Sequence, residues 1–196
     1  MFNGLPHCGK DKNQIIGISL PTDVMLKVLK PVFNARYNVT CDNYLTSLHL
    51  LRRLSEKKIS LHGTLCQNKQ EILTLAKQKK QLYDTKVYKT VNTYSATLTN
   101  YRCKSSKNVF ILVACMEMSM SILDNNKKKS DTVVSYNETK GTVDTYEQML
   151  RLYNTKSESR TWQMYVFYNI VDMALINSHI VYKYVTKSII SRKNFI

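Results

Sequence analysis

The chain has 196 residues, 43% of them hydrophobic, and its 29 Lys+Arg against 14 Asp+Glu leave a net charge of +15. That apolar content supports a buried core, in one domain or one domain with an insertion, and excludes a disordered polyelectrolyte. The charge suits a polyanion, nucleic acid ahead of an anionic membrane, with a basic surface kept for solubility as the alternative.

The opening, Met1-Phe2-Asn3-Gly4-Leu5-Pro6, lacks a charged leader and no long apolar run occurs anywhere, so the expectation is an intracellular protein without a membrane span. A short strand-like piece is followed by Gly9, Asp11, Asn13 and Gly17, a turn-rich connector. Pro21-Thr22-Asp23 opens a helix carried by Val24, Leu26, Val28 and Leu29, which Pro31 closes because proline cannot continue it. Asn38 to Asn43 reads as a buried strand with Asp42 at its carboxyl end, where α/β sheets place ligands. Asp42 is therefore either a metal ligand or the residue of an Asx-turn or helix cap. Leu45, Leu48, Leu51 and Leu54, with Arg52, Arg53, Lys57 and Lys58, make an amphipathic helix before a second strand at Ile59 to Leu65. Strand, helix, strand implies a parallel crossover.

Lys69 to Lys80 is polar and basic, and from Tyr83 to Cys115 the pattern alternates as strands do, Val109 to Val113 being the most apolar. Tyr83, Tyr88, Tyr94 and Tyr101 interleave with Lys86, Lys89, Arg102 and Lys104; this is a stacking face for nucleic acid or cross-strand packing. The Asp124 to Lys129 run reads as a solvated loop tip or a DNA clamp. The five cysteines, Cys8, Cys41, Cys66, Cys103 and Cys115, are odd in number and scattered, which indicates neither a disulfide framework nor a zinc cage and fits a reducing compartment.

From Val133 the pattern is strand, then a Lys140-Gly141 break, then a helix on Val143, Tyr146, Met149, Leu150 and Tyr153. Asp144 and Glu147, three apart on that helix, share a face within ~5–6 Å near its positive end. They could hold a metal, or form a capping box with Asp144 as N-cap and Glu147 three residues on. Trp162 leads into a long helix through Val166, Ile170, Met173, Ala174, Ile176 and Ile180, where Asp172 is a structural or exposed carboxylate rather than a further ligand. The tail, Lys183, Lys187, Arg192 and Lys193, is basic.

Three blocks carry a resemblance. Tyr136 to Met149, Tyr-Asn-Glu-Thr-Lys-Gly-Thr-Val-Asp-Thr-Tyr-Glu-Gln-Met, resembles the Tyr-Asn-x-Thr-Lys-Gly-Gly-Val-Asp-x-x-Asp-Gln-Met signature of piggyBac-type transposases. Val39 to Ser47 is similar to that family's Thr-Cys-Asp-Asn-aromatic-Phe-Thr-Ser block, and Gly63 to Ile72 to its Gly-Thr-Val-Arg-x-Asn-Lys-Arg-Glu-Ile-Pro block. The resemblance implies an α/β fold: an incomplete ribonuclease H-like domain, its first strand missing, interrupted by a mostly β insertion and closed by C-terminal helices. The expected boundaries are 1–66 for the first part, 67–135 for the insertion, and 136–196 for the acidic and long helices.

Such enzymes cut DNA and join it at TTAA sequences with carboxylates that hold two divalent cations, so the resemblance implies a magnesium or manganese site at Asp42, Asp144 and Glu147 and a nuclear location. Lys69, Lys140, Lys156 and Arg160 are the expected DNA contacts, and no zinc is expected. Glu147 stands where the family has Asp, Cys66 replaces a basic residue, Leu73 a proline, Thr142 the second glycine and Gln163 the proline after Trp162. Met1 to His7 looks like the family's second strand, with the first catalytic Asp on the strand before it. The expectation is a truncated, inactive catalytic domain that still binds DNA, with an unpaired strand edge that invites a homodimer. A domesticated, non-catalytic DNA-binding or scaffold protein is the alternative.

Overall fold

A computed structural model describes residues 5, 19–69, 72, 81–90, 95–104, 107–114, 129–155 and 161–195, which fall into a sheet unit within residues 3–140 and a helical unit within residues 141–196. In the sheet unit, helix α1 (Leu20–Leu29) starts with Pro21 in its first turn, where the missing N–H costs nothing, and Asp23 pairs with Lys27 at 2.8 Å. Pro31 then falls in a single 3₁₀ turn, Lys30–Val32, that ends the helix as expected.

Strand β1 (Asn38–Cys41) lies parallel to β2 (Ser60–Leu65), and α2 (Leu48–Glu56) makes the crossover. Ser47 starts α2 by accepting a hydrogen bond from the Leu50 N–H at 3.0 Å. The helix was expected from Leu45. It begins three residues later because the chain there is bound into a turn by Asp42. Leu50, Leu51 and Leu54 are buried, each contributing ~1.5–3 kcal/mol by leaving water.

Strands β3 (Thr85–Lys89), β4 (Thr97–Lys104) and β5 (Lys107–Val113) are antiparallel, and β5 pairs with β2 to give the order β1-β2-β5-β4-β3. The described part of 67–135 is thus mostly β, and its strands extend the sheet begun by β1 and β2. The expected end of that stretch at residue 135 falls inside helix α3 (Asp131–Thr139).

That helix corrects the strand expected at Val133. Two alternating residues were too few to choose a period. Val133 and Tyr136, three apart, both turn to the sheet, so the helical spacing wins.

Period-two alternation sorts the strands between two cores. Leu61, Leu65, Phe110 and Leu112 face α1 and α2, together with Met25, Leu50 and Leu54, while Tyr101, Ile111 and Val113 face α3 through Val133. The tyrosines divide likewise, Tyr88 with the first core and Tyr83 and Tyr101 with the second, so the described ones do not form one stacking face. Packing accounts for them, and Tyr94 lies outside the described residues.

The helical unit holds α4 (Thr142–Leu152), α5 (Trp162–Thr186) and the short α6 (Arg192–Phe195). Asp172, buried on α5, accepts hydrogen bonds from the Thr155 N–H at 2.7 Å and the Thr155 hydroxyl at 2.8 Å, which makes it structural, as the sequence suggested. Lys187, at φ 54°, ends α5 in the left-handed conformation, and Phe195 returns to pack on His179 and Tyr182. Among the described residues no helix is long and apolar enough to cross a membrane.

Candidate metal and nucleic-acid site

Asp42 follows directly on β1, and its side chain is exposed. Its Oδ1 accepts from the Leu45 N–H at 3.0 Å, while its carbonyl oxygen accepts from the Thr46 hydroxyl at 2.6 Å and the Thr46 N–H at 3.1 Å. The Asx-turn and the ligand readings are therefore compatible: one carboxylate oxygen closes the turn, and the other is not engaged by it.

Two further residues shape this turn. Gly63, opposite Cys41 in the parallel register, leaves room that a Cβ would fill, since that atom would overlap Thr46 Oγ1 and stand 3.1 Å from the Cys41 carbonyl. Lys69, expected as a DNA contact, donates from Nζ to the Thr46 carbonyl. Sequence reasoning passed over Gly63 and Thr46 as parts of the site, although a glycine inside an apolar strand signals a close approach.

In the helical unit, Gly141 is the N-cap of α4 and offers no side-chain cap. Asp144 is the third residue of the helix and not its cap, so the capping box is absent. Both Asp144 and Glu147 are exposed on the first turns, where the positive helix end favours a carboxylate. Glu147 stands 4.0 Å from Arg151, and with side chains 59% and 83% exposed this pair contributes at most about 1 kcal/mol. It leaves Glu147 available to other charges.

Within neither unit do three described His, Cys, Asp or Glu side chains gather into a cage. The donors on hand, carboxylate oxygens, are the hard ligands that magnesium and manganese take. Lys140 caps α3 at its C-terminal end and is exposed; Lys156 and Arg160 lie outside the described residues.

His62 is a fully buried titratable group of the sheet unit. It lies under α3, with Nε2 3.1 Å from the Thr132 carbonyl and its ring 5.5 Å from that of Tyr136. Burial lowers its pKa, against the opposing pull of the Thr132 carbonyl.

A mixed sheet with a parallel β-α-β crossover, helices on both faces and an acid at a strand's carboxyl end is the arrangement of a ribonuclease H-like nuclease or transposase domain. The chain belongs to the IS4 transposase family, in its piggyBac-type branch: the family profile described as Transposase IS4 matches residues 1–179. Among solved structures it is similar to the piggyBac transposase in a cryo-EM synaptic complex with hairpin DNA, at 32% identity and a TM-score of 0.87 over 98% of this chain. The match covers 41% of that protein, so the chain spans about two fifths of its length.

Proposed function

We propose that this chain is part of a transposase catalytic domain, in which Asp42 of the sheet unit and Asp144 and Glu147 of the helical unit are each divalent-cation ligands, and that it holds DNA through its basic surface. The observation that carries the reading is the Asp42 turn: a carboxylate fixed at the carboxyl end of β1, the strand that runs parallel to β2, yet left exposed. Family membership and the likeness to a DNA-bound transposase support it.

Magnesium or manganese, when bound, would stabilise charge on the attacking and leaving oxygens of a phosphodiester. The chain's own residues do the positioning. Leu45 and Thr46 hold Asp42 in one orientation, and Lys69 ties down the loop behind it. Glu147, one methylene longer than the family's Asp, reaches beyond the position a shorter acid would take. With Cys66 and Thr142 also departing from the pattern, we infer that these residues alone bind DNA without efficient turnover.

The test is manganese binding followed by the loss of the ion's free paramagnetic signal. Asp42→Asn and Asp144→Asn should each weaken binding tenfold or more, with the fold unchanged by circular dichroism. Should both variants keep manganese affinity, magnesium-dependent stability and DNA affinity, the acids are structural and the scaffold reading replaces this one.

A further inference from the structure

Helix α4 carries Asp144 and Glu147, yet none of its residues is buried: Tyr146, Met149 and Leu150 are half-buried, and Val143 and Leu152 are exposed. So short a helix is marginal by itself in water, and neither a buried apolar stripe nor a side-chain cap at Gly141 fixes its direction. Its hold on α5 is polar. Tyr146 donates its hydroxyl to the Met173 carbonyl of α5 at 3.5 Å, a long bond.

The tighter contact comes from Arg192, at the start of α6. One guanidinium N–H donates to the Tyr153 carbonyl at 2.6 Å, and the guanidinium carbon stands 5.2 Å from the centre of the Tyr153 ring. Tyr153 is the C-cap of α4, at the negative helix end, where a cation is favoured. Tyr146 and Tyr153, two turns apart, share a face. Burial raises the pKa of the Tyr146 phenol, and the charge of Arg192 opposes that rise, so the guanidinium acts on both tyrosines.

Arg192 is itself anchored. Phe195, on the same short helix, packs its ring 5.2 Å from that of His179 and 5.3 Å from that of Tyr182, both on α5, and His179 Nε2 lies 3.2 Å from the Ile190 carbonyl just before α6. Helix α6 is thus seated on α5 by its phenylalanine and reaches α4 with its arginine.

We propose that Arg192 is a positioning residue for the acids of α4: held on α5 through Phe195, it clamps the C-terminal end of α4 and so sets where Asp144 and Glu147 point. Asp144 lies nine residues before Tyr153, about 13 Å along the axis, so a tilt of ~10° at the clamped end displaces it by about 2 Å. That is the length of a magnesium–oxygen bond, about 2.1 Å, in a coordination shell that demands near-ideal geometry. The proposal rests on the metal-ligand reading above and adds the residue that holds the ligands in place.

The experiment is amide hydrogen exchange of the full chain, read by mass spectrometry, paired with manganese titration. In Arg192→Gln, and in Phe195→Ala, which breaks the anchor from the other side, α4 peptides should exchange tenfold or more faster while β2 and β5 keep their protection. Manganese affinity should fall threefold or more in both, and Asp144→Asn added to Arg192→Gln should change it less than twofold, because the acid has already lost its place. Arg192→Lys, which keeps a charge and a donor for the Tyr153 carbonyl, should recover at least half of the lost protection and affinity. Unchanged α4 exchange, faster exchange with full manganese affinity, equal loosening of the sheet strands, or no recovery by Arg192→Lys would overturn the proposal. If Asp144→Asn alone leaves manganese affinity unaltered, the ligand reading fails and the positioning role falls with it; if Asp144→Asn loses binding while Arg192→Gln does not, only this proposal fails.

Discussion

Thr46 sits over Gly63 so closely that any side chain on the glycine would meet its hydroxyl, the same hydroxyl that donates to the Asp42 carbonyl at 2.6 Å. The bareness of one strand residue therefore lets the turn carrying the candidate ligand close onto the sheet. Gly63→Ala is expected to destabilise the chain by about 1–3 kcal/mol through overpacking, read as a lower urea midpoint, and to weaken manganese binding. An unchanged midpoint would show that the turn does not depend on this contact.

Lys69 Nζ reaches the Thr46 carbonyl from the other side of the same loop. A hydrogen bond from a charged donor contributes about 1.5–3 kcal/mol, so Lys69→Met should lower stability by that order. The duplex salt slope should stay the same. A slope shallower by about 0.9, the share of one phosphate contact on B-DNA, with stability intact would return Lys69 to the DNA-facing set.

Asp172 is acidic, buried and close in sequence to the family blocks, yet its Oδ1 is committed to Thr155. Asp172→Ala is expected to cost about 1.5–3 kcal/mol, and Asp172→Asn less, because its amide oxygen still accepts. Neither change should alter manganese affinity. A loss of metal binding in the folded Asn variant would make Asp172 a ligand.

His62 gives the sheet unit a pH dependence of definite sign. Its pKa in the folded chain lies below the ordinary 6.5, so below pH 6.5 the unfolded chain binds the proton that the native one refuses, and stability rises with pH through that window. Stability should be complete above pH 6.5 and fall as the solution is acidified toward the depressed value. His62→Gln should flatten this part of the stability–pH curve. Urea melts between pH 5 and pH 7.5 read the effect directly, and a variant with the wild-type slope would assign it to another group.

Helix α1, the β1-α2-β2 crossover, strand β5 and the long α5 were all legible in the sequence, because each carries its own period or its own proline and polar punctuation. The Val133 segment was not. Its local pattern suited a strand, and only the packing of Val133 and Tyr136 against Tyr101 and Ile111 selects a helix. The tyrosines near β3 and β4 were left between stacking and packing for a related reason: a sequence does not say which side of the sheet each residue takes until register is set, and register is fixed by strands far away in the chain.

The same division holds at the site. The family could be read from the sequence, and Asp42, Asp144 and Glu147 could be named as candidates there, since acid type and block spacing are one-dimensional properties. The Asp42 turn was one of the readings the sequence offered, but that Gly63 makes room for Thr46 and that Lys69 turns inward were decided by tertiary structure alone. Both depend on residues distant in the chain being packed into contact, 23 positions apart for Lys69 and Thr46, and such contacts are set by how the strands and helices stack, which no local pattern encodes.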